Sequence, residues 1–289
     1  MTLAIKNPAP VKNLFPDIEF AKLAAEKISA AIGRPVTVED EVTQDELDQV
    51  KDFVVPQSGE RRIANIAGIG YLKNLEKFLL ESQNIEVLPD ELAELTNLNL
   101  LILTANHIRT IPHWIGNLTE LTRLSLDSQV PGLSGEVPES LGKLTKLAHL
   151  SLHNNFKLSG KLPDSLAKLT SLEGIPIQTN AFEDLTVLNK IPPTAIVNAI
   201  NQSLGEVDLG AVAADGALRK ELPVIFVQAQ TEGDYLYERD GIKISNPDAA
   251  ISKDRQYIHL PTDKVGDQEV TLRFASHAAT SITYKYAVE

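Results

Sequence analysis

Between residues 75 and 188, the hydrophobic positions recur with a period of 23 to 26 residues. In the copy that shows the pattern most clearly, the recurring positions are Leu98, Leu101, Leu103, Asn106, Ile108, Ile111 and Pro112. The other copies begin at Leu75, Leu121, Leu147 and Leu172, and they stay in phase with this one. Side chains at the first, fourth and sixth positions would point inward from one short strand, and stacked copies would then bury a continuous column of leucine. The pattern therefore predicts parallel strands, one for each copy.

This spacing is the signature of the leucine-rich repeat. It predicts an α/β solenoid, curved like a horseshoe, over residues 63–189. The ninth position of every copy is an amide, which we expect to lie inside the turn after the strand and to bind backbone groups left unpaired there. These amides are Gln83, Asn106, Gln129, Asn155 and Asn180. A proline near the end of four copies predicts the start of a return segment with short convex helices. These prolines are Pro89, Pro112, Pro138 and Pro163.

The residues before the repeats divide into two parts. Residues 1–14 carry Pro8 and Pro10 without any period, which predicts a flexible arm. Residues 15–62 predict two helices, the first beginning at Asp17 and the second opened by Thr43 with Glu46 as its capping-box partner. The apolar stripe of the second helix is predicted to be Leu47, Val50 and Phe53. We expect these helices to form an N-terminal cap that covers the apolar face and strand edge of the first repeat.

After Lys190 the leucine period ends, and the apolar residues alternate with a period of two. Short alternating runs separated by Gly, Asp and Asn predict β-strands at the spacing of a sandwich. The runs are 224–227, 235–237, 257–260, 270–274 and 282–288. We therefore predict an all-β sandwich over residues 190–289.

The segment before the first repeat carries a family resemblance. It runs from Ile63 through Ile66, Gly68 and Tyr71 to Leu75, and it follows the two predicted helices. This combination resembles the internalin family of bacterial surface proteins over residues 11–190. The resemblance implies that the sandwich is Ig-like and that the protein lies outside the cell or on a bacterial surface. The third and fourth repeats depart from that family, because their Leu-Ser-Gly segments at Leu133 and Leu158 resemble the longer repeats of plant receptors.

The concave side of the predicted sheet is the candidate binding surface. Residues at the third, fifth, seventh and eighth positions of each copy are predicted to project from the concave face of the strands. Because equivalent positions are neighbours in parallel strands, Leu79, Leu100 and Ile102 should form an apolar patch. The predicted ligand-binding residues are Lys77, Leu79, Glu81, Leu100, Ile102, Thr104, Arg123, Ser125, Asp127, His149, Ser151, His153 and Gln178.

Composition narrows the classes of partner. The formal net charge of −12 opposes binding to nucleic acid or anionic membranes. No apolar run is long enough to span a bilayer, so we expect no membrane insertion. The sequence has no cysteine, which excludes disulfides and thiolate metal sites. Its first residues lack the apolar core of a signal peptide. We expect a monomer that needs no cofactor or metal.

Catalysis has little support in the sequence. Ser125, Asp127 and His153 could lie close together, but no motif supplies an oxyanion hole. His149 and His153 are too far apart along one strand to bind a single metal ion. In the β region, Asp234, Glu238 and Asp240 form the only dense acidic group. They leave open an alternative in which the repeats target a carbohydrate-active or peptidase domain. A second alternative is an intracellular repeat scaffold.

The expected function is therefore non-enzymatic recognition by the concave face. The ligand would be a protein or a glycan on a host or neighbouring cell, as the resemblance to surface proteins implies. A rigid face loses little conformational entropy on binding, which favours such a role.

Overall fold

The computed structural model describes residues 3–55, 62–192, 195–199, 203–212, 218–221, 242–244, 250–251, 257–261, 266–274 and 281–288. The element boundaries and contacts given below refer to these residues.

Three helices and a small antiparallel sheet form the N-terminal region. Strands β1 (Ala9–Pro10) and β2 (Glu41–Val42) pair, and the helices are α1 (Val11–Leu14), α2 (Ile18–Ile32) and α3 (Gln44–Leu47). The predicted helix starts are confirmed, because the Asp17 carboxylate accepts hydrogen bonds from the first turn of α2 and Thr43 forms a capping box with Glu46. The hydrogen bond that the backbone N–H of Thr43 donates to the Glu46 carboxylate lowers the pKa of that carboxyl group.

Two predictions for this region are wrong. Residues 9–14 are not a flexible arm, since they form β1 and α1 and Val11 is fully buried. Leu47, Val50 and Phe53 are buried as predicted, but they do not lie on one helix, because α3 ends at Leu47. Phe53 belongs instead to strand β3 (Asp52–Val55), which pairs in parallel with the first repeat strand.

The repeats build one seven-stranded parallel sheet. Its strands within the repeats are β4 (Lys77–Leu80), β5 (Leu100–Ile102), β6 (Arg123–Ser125), β8 (His149–Ser151) and β10 (Gly174–Pro176). Strand β3 extends the sheet at one end and β12 (Ile196–Asn198) at the other. The sheet therefore begins before residue 63 and ends after residue 189, which are the predicted boundaries of the repeats. The inward leucines are buried, and they join the N-terminal helices in one continuous apolar cluster.

Two or three residues after each repeat strand, the chain turns sharply. Five residues, one in each repeat, have a positive φ of 56° to 60°; they are Ser82, Ala105, Ser128, Asn154 and Thr179. This left-handed backbone directs the next residue, the buried amide, into the interior. All five amides are buried, which confirms their predicted place. The hydrogen bonds of Asn155 are typical, since its Nδ2 donates to the carbonyls of Leu126 and Leu152.

The longer repeats form a second sheet that the sequence did not predict. Strands β7 (Ser134–Gly135), β9 (Lys157–Lys161) and β11 (Ala181–Asp184) pair in parallel. Gly135 and Gly160 have φ angles of 78° and 75°, a region that favours glycine over other residues. The Leu-Ser-Gly segments thus replace the loop of a short repeat with an extra strand.

The convex side carries short 3₁₀ helices instead of α-helices. They span Ile69–Tyr71, Asp90–Glu94, His113–Asn117, Glu139–Lys143, Asp164–Lys168 and Thr186–Lys190. Each of the four predicted prolines directly precedes one of these helices, so the predicted return segments are confirmed.

Gly142 sits where two convex helices approach closely, and substituting it tests this packing. A Cβ atom on Gly142 would lie 2.4 Å from both the carbonyl oxygen and the Cβ of Ser165. We expect Gly142→Ala to lower the free energy of unfolding by about 2 kcal/mol, because overpacking forces the backbone apart. The check is the midpoint of urea unfolding. Ala167→Gly, at the same place one repeat later, is the control and should cost less than about 1 kcal/mol. Equal midpoints for Gly142→Ala and the wild type would contradict the prediction.

The C-terminal region contains two further sheets. One contains β13 (Ser203–Val212), β15 (Ile242–Ile244), β18 (Gly266–Phe274) and β19 (Ser281–Val288), and the other β14 (Leu218–Glu221), β16 (Ala250–Ile251) and β17 (Tyr257–Leu260). Strand β13 runs parallel to β19, and the other pairs are antiparallel. The strands predicted at 257–260, 270–274 and 282–288 are confirmed. Those predicted at 224–227 and 235–237 lie outside the described residues.

Candidate functional site: the concave sheet

Two rows of side chains cross the concave face of the sheet. In the first row, Lys77 pairs with Leu100, Leu100 with Arg123 and Arg123 with His149. In the second row, Leu79 pairs with Ile102, Ile102 with Ser125 and Ser125 with Ser151. The predicted register is therefore confirmed across four repeats.

The apolar patch is larger than the sequence predicted. Leu79, Leu100 and Ile102 are partly exposed, as expected. Val54 on β3 pairs with Leu79 and is also partly exposed, so it extends the patch by one strand. The prediction missed Val54 because it placed this segment within the second helix. The run Asp52-Phe-Val-Val55 carried the missing signal, since a buried Phe53 next to an outward Val54 is strand alternation.

The first row carries most of the formal charge on this face. The Nζ atom of Lys77 lies 3.3 Å from Oδ2 of Asp52, and Nε2 of His149 lies 3.6 Å from Oε2 of Glu173. Arg123 stands between them, is exposed, and forms no ion pair with any described residue. Its guanidinium is therefore free to bind a ligand.

A polar cluster forms at the ends of β5, β6 and β8, which are the third, fourth and fifth strands of this sheet when counted from β3. We call it the Asp127 cluster, and its members are Thr104, Ser125, Asp127, Ser151 and His153. The Oδ1 atom of Asp127 accepts hydrogen bonds from Ser125, from Thr104 (3.1 Å) and from Ser151 (3.1 Å). The Nε2 atom of His153 lies 3.5 Å from Oδ2, and its Nδ1 lies 2.9 Å from the Ser151 oxygen. The cluster links three neighbouring repeats.

One predicted contact residue needs correction. Asp127 is only 5% exposed, because the hydroxyl groups and His153 cover its carboxylate. Its charge can reach a ligand only through those groups. The residues at the equivalent position of the other four repeats are partly exposed; they are Glu81, Thr104, His153 and Gln178. The Oε1 atom of Gln178 is buried and has no hydrogen-bond partner among the described residues.

The Asp127 cluster brings together a serine, a histidine and an aspartate, which raises the question of catalysis. The hydroxyl of Ser151 donates to Asp127, so its proton is not directed at the imidazole. The backbone N–H of Leu152, the next residue, already donates to the carbonyl of Pro176 (3.0 Å). That N–H is therefore not available to stabilise an oxyanion. The arrangement favours a binding surface over acyl transfer.

An open groove of about 540 Å³ lies on the flank, beside the second sheet. Its floor contains Ile111, Val137 and Leu162, and its walls include Glu136, Lys161 and Asp164. Lys161 lies 3.2 Å from Asp164, and this carboxylate raises the pKa of the lysine. The neighbouring charges therefore partly neutralise each other, unlike the free Arg123.

Other kinds of site find no support in the part of the chain that the structure describes. There, no three His, Asp or Glu side chains are grouped so that they could hold a metal ion. No described helix has the length and apolar character to cross a membrane. Asp234, Glu238 and Asp240, the acidic group of the β region, lie outside the described ranges.

Comparison with known proteins identifies the class. A family model described as a leucine-rich repeat region matches residues 57–204, about half of the chain. The chain therefore belongs to the leucine-rich repeat family. A search of curated protein sequences found no match.

Within that class, the structure is internalin-like. An internalin from Listeria monocytogenes is 29% identical with a TM-score of 0.52; the match covers 70% of this chain and 61% of the internalin. A secreted internalin-like protein from Listeria monocytogenes is 17% identical with a TM-score of 0.51, over 99% of this chain and 100% of the other. The second likeness shows the fold alone.

A plant protein also matches part of the chain. It is the ectodomain of a membrane receptor kinase from Arabidopsis thaliana, in complex with Casparian strip integrity factor 2. The identity is 29% and the TM-score 0.41, over 48% of this chain and 17% of the plant protein. A score this low does not bear on the ligand of this chain.

Proposed function

We propose that the protein is a non-enzymatic recognition module that binds a protein ligand on its concave face. One observation carries the proposal: the four apolar side chains from Val54 to Ile102 lie partly exposed directly beside the unpaired Arg123. Exposed apolar side chains rimmed by polar ones are typical of protein-binding surfaces. An arginine without an ion pair can bind a carboxylate of the partner through two hydrogen bonds.

The regions at the two ends of the array have supporting roles in this proposal. The N-terminal helices serve as a cap, because Phe20 of α2 packs against Phe53 of β3, with 5.3 Å between the ring centroids. The C-terminal region is an Ig-like sandwich that closes the other end. Its four-stranded and three-stranded sheets support this assignment, as do Leu260 and Val288, which share the buried cluster of the repeats.

We further propose that the protein acts outside the cell or at a bacterial surface, where it would serve in adhesion. The likeness to an internalin supports this location. The internalin-like protein that shares the fold over nearly the whole chain is itself secreted. The partner would then be a protein on a host or neighbouring cell.

A binding screen tests the concave assignment. The protein is applied to an array of purified extracellular protein domains and glycans, and each hit is measured again with Ile102→Glu and Arg123→Glu. We expect at least about a tenfold loss of affinity for each variant, because they place charge in the apolar patch or reverse the free cation. Thermal unfolding of each variant confirms that the fold is kept.

Lys143→Glu is the matched control, since it makes the same kind of charge reversal at an exposed residue of a convex 3₁₀ helix. The concave assignment fails if this control abolishes binding while the two concave variants bind as well as the wild type. Hits confined to the glycans would show that the ligand is not a protein.

A further inference from the structure

An exposed apolar patch lies on the rim of the sheet, beside the predicted site. Phe156 is 65% exposed and Val130 is 59% exposed, although large apolar side chains are mostly buried in this structure. Each follows the buried amide of its repeat, so they occupy the same place in two consecutive repeats. Pro131, also exposed, lies between Val130 and the buried Gly132. We call Val130, Pro131 and Phe156 the rim patch.

The rim patch is held firmly by its backbone. A Cβ atom on Gly132 would lie 3.2 Å from the backbone nitrogen of Phe156, so the two segments touch. The N–H of Val130 donates to the carbonyl of Asn106 (2.8 Å). The N–H of Gln129 donates to the side chain of Asn155, which ties one repeat to the next (3.2 Å). Few groups of the rim patch would lose mobility when a ligand binds, and this favours affinity.

The Asp127 cluster lies next to this patch in the same two repeats, since Asp127 precedes Val130 and His153 precedes Phe156 by three residues each. A hydroxyl group has one proton, and Thr104, Ser125 and Ser151 all donate theirs to Asp127. The oxygens of Thr104 and Ser125 are therefore left as acceptors for a ligand, whereas the Ser151 oxygen lies 2.9 Å from Nδ1 of His153. Lysine and arginine side chains carry only donors, so they match this surface in both hydrogen bonding and charge.

We propose that the rim patch and the Asp127 cluster together bind one polypeptide segment in which an arginine or lysine stands close to an aromatic or large aliphatic residue. The cation lies over the hydroxyl oxygens above Asp127, and the apolar side chain packs on Phe156 and Val130. The proposal rests on the proposed function and names the chemistry of its partner. The net charge of −12 would also attract a basic segment over longer distances.

A random library of 12-residue peptides displayed on phage is the probe, selected against the full chain. We expect selected peptides to carry Arg or Lys at one preferred spacing, within three positions of Trp, Phe or Leu, at about threefold the frequency of that spacing in the unselected library. Synthetic copies of these peptides should bind Phe156→Ser and Val130→Ser at least about tenfold more weakly than the wild type. Replacing their arginine with uncharged citrulline should weaken binding by a similar factor.

Val87→Ser is the matched control for Val130→Ser, because Val87 is 71% exposed and lies elsewhere in the array. Its affinity should equal that of the wild type. Acidic peptides, or a selection that yields none, would overturn the rim proposal. So would binding that survives Phe156→Ser but is lost with Ile102→Glu, a result that supports the concave patch alone. If neither substitution weakens binding, the concave assignment fails together with the rim proposal.

Discussion

Replacing Asn155 with alanine is expected to lower the free energy of unfolding by about 4 kcal/mol. The Asn155 side chain is fully buried and bonds backbone groups of two repeats. Its Nδ2 donates to the carbonyls of Leu126 (3.1 Å) and Leu152 (2.8 Å), and its Oδ1 accepts from the N–H groups of Gln129 (3.2 Å) and Leu133 (3.1 Å). Alanine would leave these groups buried without their partner, at roughly 1–3 kcal/mol for each that water cannot reach.

The measurement is chemical unfolding followed by circular dichroism. Asn97→Ala provides the control, because Asn97 is exposed and the same atoms are removed. That variant should stay within about 0.5 kcal/mol of the wild type. Similar stability for Asn155→Ala and Asn97→Ala would show that the amide ladder contributes little to the fold.

The positions of the repeats and of their strands could be predicted because every copy has inward leucines that must be buried. The column that contains Leu101, Leu124 and Leu150 needs neighbours above and below, so a single period defines both the strand and its stacking. The same repetition defined the register of Leu79 with Ile102, since equivalent positions must become neighbours. The predicted concave surface follows directly from that register.

Features that occur outside the period were harder to predict. The left-handed turn position holds residues such as Ser82, Ala105 and Thr179, and none of the five is a glycine. Its backbone is determined by the amide that must reach the interior after it, and not by its own preference. Strand β3 was missed for a related reason, because it pairs with the first repeat without carrying the leucine pattern.

Burial at the site also depends on contacts that one repeat does not contain. Asp127 stands at an outward position, and its repeat alone predicts an exposed carboxylate. Thr104 from the repeat before and Ser151 from the repeat after cover it. Phe156 shows the reverse case, an apolar residue that is exposed. It directly follows Asn155, whose buried side chain already occupies the interior at this turn. Both outcomes require the stacked array.

A substitution among the aromatic side chains at the N-terminal end is expected to have the second large effect on stability. Phe53 is fully buried and lies between Phe20 of α2 and Phe78 of the first repeat, with ring centroids 5.3 Å and 5.5 Å away. These rings join the N-terminal helices to the leucine column. Phe53→Ala should cost about 4 kcal/mol, because it removes a large buried side chain and two aromatic contacts.

Since each repeat contacts only its neighbours, the effect of Phe53→Ala should be strongest at the N-terminal end. Backbone hydrogen exchange should quicken more in β4 than in β10. Phe156→Ala removes the same atoms from an exposed position and should change the free energy of unfolding by less than about 0.5 kcal/mol. Exchange that quickens equally in β4 and β10 would show that the array unfolds as one unit. It would also contradict a separate stabilising role for the N-terminal helices, because a cap protects the end that it covers more than the far end.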